Sequence, residues 1–112
     1  MNILFVCTLN KARSVTAVKL YRRTPGLTVR SAGISDRAVH QLNEHDLAWA
    51  ELVITFESKH EKWIRGTYMG DLPEIIHVGI PYNFTADAPE LISELIEVLT
   101  PILGKPNVLK NR

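Results

Sequence analysis

Four short apolar runs alternate with four helical stretches along this chain, and that alternation restricts the fold more than any other feature. Residues 2–6 are mostly apolar and run straight into the polar, basic segment carrying Thr8, Asn10, Lys11 and Arg13. Such a run reads as a buried strand. From 14 to 23, Val15, Val18, Leu20 and Tyr21 form a loose helical face, with Ser14 as its start and Pro25-Gly26 as its stop. Residues 27–31 read as a second strand. A strand, a tight loop, a helix and a strand within about 30 residues is the size of a βαβ unit.

The same rhythm continues. Residues 32–36 are a loop and 43–50 a short helix, followed by a third strand at 51–56. Residues 58–64 read as a helix with Ser58 near its N-cap and Gly66 as its stop. Asp71-Leu72-Pro73 is a turn, 74–78 a fourth strand and 79–86 a loop. From Pro89 to about Thr100, Leu91, Ile92, Leu95, Ile96 and Leu99 make a clear helical stripe. Pro101 ends or kinks this helix, Gly104-Lys105-Pro106 stops it, and the tail beyond is expected to fray. The expected fold is α/β: a four-stranded parallel sheet with helices on both faces and right-handed crossovers. Ligands in such folds sit at the carboxyl ends of the strands, where Cys7 falls.

A chain of 112 residues fits one domain, spanning 1–112, and can bury a core without disulfides or metals. Its net charge of +1 argues against a nucleic-acid partner and against a polybasic membrane anchor. Its single cysteine excludes an internal disulfide and is compatible with a reducing cytosol. The apolar N-terminus is short, without a basic leader or a small-residue cleavage site, so it does not read as a signal peptide. No apolar run is long enough to cross a bilayer, and the expected location is the cytoplasm.

The chemistry concentrates in Cys7-Thr8-Leu9-Asn10-Lys11-Ala12-Arg13-Ser14. A loop that feeds a helix N-terminus offers backbone N–H groups and the positive end of the helix dipole to a dianion. Arg13 adds a planar fork for two phosphate oxygens. The same field favours the thiolate over the thiol at Cys7, a competent nucleophile for phosphorus. The gap between Cys7 and Arg13 suits a loop wrapped round one phosphate, with the sulfur below it and the guanidinium at its rim. Ser14 fits as a donor to the sulfur, and Asn10 as a residue that tolerates positive φ in a tight loop. Lys11 either adds positive potential or points to solvent. The plainer alternative is that Cys7 is only a small buried hydrophobe at a strand end.

At these residues the chain resembles the low molecular weight protein tyrosine phosphatases. The matching stretch runs from Ile3 to Ser14, and Ser31-Ala32-Gly33, Trp49-Ala50-Glu51-Leu52-Val53-Ile54 and Ile80-Pro81-Tyr82 fit the family pattern. The resemblance covers most of the chain and is closest to a short bacterial branch of predicted phosphatases. It implies Cys7 as nucleophile, Arg13 as phosphate-binding arginine, and Asn10 and Ser14 as loop-ordering and thiolate-bonding residues. It further implies two displacements through a phosphocysteine intermediate, without metal or other cofactor. The implied partners are a phosphorylated protein or small phosphoester, and phosphate-like oxyanions.

Several positions depart from that pattern. Leu9 stands where the family usually has Gly, Ala12 where it often has a second Cys, and Val15 where it usually has Pro. The family's general acid is an Asp in the loop after the fourth strand, and the matching position here is Ile80 or Tyr82. A positioned acid typically contributes about 10² to 10⁴-fold. Asp87 is the nearby carboxylic acid and fits two roles, an acid that swings in or a helix cap ahead of Ala88-Pro89-Glu90. Asp36 and Asp71 are remoter candidates. Tyr82 and Phe84 fit either as aromatic walls for a substrate ring or as packing. Trp49 and Trp63 read as packing residues, and the four histidines show no zinc-ligand spacing. Glu57 and His60, three apart, are a weak metal pair. Three functions stay open: a phosphomonoester hydrolase, a phosphate or phosphopeptide binding module without efficient turnover, and an arsenate reductase. The last would need an external thiol, because its relay uses further cysteines.

Overall fold

The computed structural model describes residues 1–107. The expectation of a frayed tail falls partly on 108–112, outside the described residues. The elements follow in order β1 (Asn2–Cys7), α1 (Arg13–Tyr21), β2 (Thr28–Gly33), α2 (Glu44–Trp49), β3 (Leu52–Thr55), α3 (Ser58–Thr67), β4 (Glu74–His77) and α4 (Pro89–Leu103). The four strands form one sheet in the order β2-β1-β3-β4, and every pairing is parallel. This is the architecture expected from the alternation of apolar runs and helical stretches.

Successive side chains of a strand point to opposite faces, and β1 uses both. Ile3, Phe5 and Cys7 join the cluster built with Ala17, Leu20 and Tyr21 of α1 and Leu91, Leu95 and Leu99 of α4. Leu4 and Val6 join the opposite cluster with Leu47 of α2 and Ile64 of α3. A strand buried on both faces must be apolar at every position, which explains the unbroken run at the start of the chain. Fully burying a side chain of this kind contributes about 1.5–3 kcal/mol. The Tyr21 hydroxyl donates to the Gly104 carbonyl at 2.9 Å and ties α1 to the end of α4.

Helix ends differ from the sequence reading more than strands do. Gly66 lies inside α3, which runs to Thr67. Tyr68, stacked edge-on against Trp63 and donating to the Leu42 carbonyl, carries the chain past the glycine. Pro101 does not end α4, which continues to Leu103. Ala88, not Asp87, is the N-cap of α4, and Glu57 is the N-cap of α3, one residue before Ser58. Asn43 caps α2 as the helix start expected there, accepting from the Asp46 amide. No helix among the described residues is long and apolar enough to cross a membrane.

The strand order fixes where a ligand can sit. The chain leaves β1 toward β2 on one side, then returns to place β3 on the other. Loops diverge at that switch point and open a crevice at the carboxyl ends of β1 and β3.

Candidate active site

The segment after β1 is held from behind by backbone bonds. The carbonyls of Cys7, Thr8 and Leu9 accept from the amides of Ile34, Ser35 and Val39 at 3.0, 3.0 and 3.1 Å. In a trans peptide the next N–H points opposite to the carbonyl. The amides of Thr8, Leu9 and Asn10 are therefore turned the other way, inward across the loop. The Asn10 amide is seen there, donating to Cys7 Sγ at 3.2 Å. Asn10 adopts φ +55°, the left-handed conformation expected of it. Gly33, paired with Cys7 in the sheet, lets this backing segment approach: a Cβ there would lie 2.6 Å from the Thr8 oxygen and 2.9 Å from the Asn10 nitrogen.

Cys7 is buried, and its sulfur lies 3.0 Å from Ser14 Oγ. Ser14 also donates to Asn10 Oδ1 at 2.9 Å. Its single hydroxyl hydrogen thus has two neighbours: the amide oxygen when the sulfur is a thiol, and the sulfur once that becomes a thiolate acceptor. The helix starts before Ser14, which is the second residue of α1, and the N-cap is Ala12 without a side-chain bond.

The Arg13 side chain is buried and anchored through one nitrogen. Nη1 donates to Glu57 Oε2 at 2.6 Å and to the Ile80 carbonyl at 2.9 Å. Nη2 and Nε have no protein partner among the described residues. Burial opposes the charge on Glu57, but the hydrogen bond and charge of Arg13, with Lys59 and His60 beyond, hold its carboxyl below the usual range. Glu57 is thus an ionised anchor rather than a proton donor. His60 is fully buried, and its Nε2 lies 2.9 Å from Thr8 Oγ1.

A cavity of about 360 Å³ opens at the switch point, lined by Cys7, Thr8, Leu9, Lys11, Ala12, Arg13, Lys59, Tyr82 and Phe84. It gathers the expected loop residues with the expected aromatics. Asn10 and Ser14 stand behind it as sulfur partners. Asp87 is not brought to it. The Asp87 carboxylate accepts from Lys19 Nζ at 2.8 Å, and its amide donates to Thr16 Oγ1 at 3.1 Å, so it is tied to α1. Of the two positions that match the family acid, Ile80 is buried and serves through its carbonyl, and Tyr82 lines the cavity. Among the described residues, no carboxylate lines the cavity.

Lys59, Glu57 and His60 were missed as site residues. Glu57 and His60 read as a weak metal pair, and no group of three metal-ligating side chains is found among the described residues. The available signal was position: they open the helix after β3, at the same carboxyl end of the sheet as the Cys7 loop.

No family sequence model matches this chain, and no curated protein sequence does. Solved structures match. YwlE arginine phosphatase from Geobacillus stearothermophilus superposes with a TM-score of 0.66 at 23% identity, over 88% of this chain and 86% of that one. The low molecular weight protein tyrosine phosphatase from T. tengcongensis gives 0.69 at 18%, over 88% and 92%. The one from Streptococcus pyogenes gives 0.69 at 15%, over 97% of each chain. This chain therefore has the fold of the low molecular weight protein tyrosine phosphatases.

Proposed function

We propose that the protein hydrolyses phosphomonoesters, on protein tyrosine or a comparable aryl phosphate, with Cys7 as nucleophile. The observation that carries this reading is the Cys7 sulfur held at the base of the loop by the Ser14 hydroxyl and the Asn10 amide. Loop amides and the free arm of Arg13 bind the phosphoryl oxygens. The thiolate attacks phosphorus and forms the S–P bond as the P–O bond to the leaving oxygen breaks. Water then attacks the phosphocysteine, the S–P bond breaks, and phosphate leaves.

The solved neighbours include phosphatases named for arginine and for tyrosine. The lining of this cavity favours the aryl ester. Leu9, Tyr82 and Phe84 offer apolar wall, whereas Lys11 and Lys59 would repel a guanidinium leaving group. Asp87 enters this scheme only by leaving Lys19, so the leaving oxygen collects its proton from solvent in the arrangement described. Turnover is then restricted to substrates whose leaving groups need little protonation.

Assaying two aryl phosphates tests the scheme. Para-nitrophenyl phosphate is turned over, phenyl phosphate roughly 10²-fold or more slowly, and Cys7→Ser turns over neither. Asp87→Asn leaves both rates within about twofold; a fall of 10²-fold would make Asp87 the acid after all. That no carboxylate among the described residues lines the cavity also favours a second reading, a phosphate or phosphopeptide binding module. Wild type that binds phosphate through Arg13 without any turnover would establish that reading and sink the first.

A further inference from the structure

The hydrogen bond between Thr8 and His60 has no part in the scheme above, yet its polarity can be worked out. Nδ1 of His60 accepts from the Phe56 amide at 3.3 Å and from the Glu57 amide at 3.1 Å. A ring nitrogen that accepts hydrogen bonds carries no proton, so the hydrogen of the neutral ring is on Nε2. Nε2 therefore donates to Thr8 Oγ1, 2.9 Å away. Thr8 accepts inward, and its own hydroxyl hydrogen has no protein acceptor among the described residues. Thr8 also lines the cavity.

We propose that the Thr8 hydroxyl donates a hydrogen bond to the bound phosphoryl group, and that His60 is the positioning residue that keeps this hydrogen turned toward the cavity. The proposal rests on the phosphoryl site described above and adds a side-chain donor to its backbone amides. The opposite tautomer would set an Nδ1–H against two amide N–H groups and leave Nε2 as an acceptor that draws the Thr8 hydrogen inward. Both amides belong to the turn that opens α3, so the backbone itself selects the donating tautomer. Burial and the Arg13 charge oppose protonation of the ring, which keeps the same polarity at neutral pH.

The test uses inorganic phosphate as the probe, read as the inhibition constant against para-nitrophenyl phosphate or as a direct dissociation constant. Thr8→Val keeps the shape and removes the hydroxyl, and should weaken phosphate roughly tenfold or more. Thr8→Ser keeps the hydroxyl and should stay within about threefold of wild type. His60→Ala should weaken phosphate in the wild-type background and add nothing in the Thr8→Val background, although it lowers the melting temperature in both. A merely structural histidine would weaken phosphate equally in both backgrounds. Should His60→Ala fail to fold, the Val and Ser variants at position 8 decide alone. Wild type that binds phosphate, with Thr8→Val binding it equally well, overturns this inference and spares the site. Wild type that does not bind phosphate overturns both.

Discussion

Arg13 reaches its place through a single nitrogen, and this division of labour has consequences for substitution. Nη1 is committed to Glu57 and the Ile80 carbonyl, and the other two nitrogens have no protein partner among the described residues, which suits them to the proposed phosphoryl group. A lysine is a point charge and cannot hold both sets of partners. Arg13→Lys should therefore weaken inorganic phosphate by about tenfold or more, measured as an inhibition constant. An unchanged constant would mean that the fork is not used. His60 makes a different prediction, about stability. Burial first, then the Arg13 charge, lowers its pKa from 6.5 to about 4. Between those values the unfolded chain binds a proton that the native chain refuses. Stability thus rises with pH across this window, by up to about 3 kcal/mol, and is level above it. From the lower end of this window downward Glu57 adds to acid lability, because its depressed pKa contributes stability that is lost as pH falls beneath the ordinary carboxylate value of 4.5. Urea midpoints from pH 4 to 7 read the His60 slope, and His60→Gln should flatten it. A slope that survives the substitution belongs to another group.

Among the elements, the loop after β1 depends on the backing segment from Gly33 to Val39. A methyl at Gly33 would meet the Thr8 oxygen, the Asn10 nitrogen and Ala38 Cβ, all closer than 3.0 Å. Two of these are backbone atoms and cannot rotate aside. Gly33→Ala should cost about 1–3 kcal/mol and weaken phosphate as the loop shifts. Gly66→Ala is the contrast, since it sits inside α3 with open space around its Cβ position. It should be neutral or stabilise the fold by up to about 1 kcal/mol. Thermal melts of the pair distinguish them, and a Gly33→Ala as stable as wild type would show that the loop can yield. The same elements show what a sequence reveals. β1, β3 and the position of Cys7 were legible because a doubly buried strand must be apolar throughout. Helix ends were not, because tertiary bonds decided them. Ser14 lies inside α1 with its hydroxyl on the Cys7 sulfur, Asp87 was drawn to Lys19, and Tyr68 followed α3 beyond its glycine.

Across the whole molecule, three distant stretches meet at one crevice: 7–14, 57–60 and 80–84. No periodicity announces such a meeting. It follows from the strand order, which opens the chain at β1 and β3 and so brings their following loops together. Because Arg13 joins the first stretch to the second through Glu57 and to the third through Ile80, an anion bound there is felt by the entire fold. A ligand that binds only the native state stabilises it by about 2.7 kcal/mol at a hundred times its dissociation constant. For a domain of this size that is a rise of roughly 10 °C in the melting temperature. Phosphate should produce this rise in wild type and in Cys7→Ser, which keeps the loop, and should not produce it in Arg13→Ala. Phosphate also stabilises proteins generally by exclusion from their surfaces, so the difference between variants in one buffer is the quantity that matters. An equal rise in Arg13→Ala would reduce the effect to that general one, and the crevice would lose its claim to be an anion site.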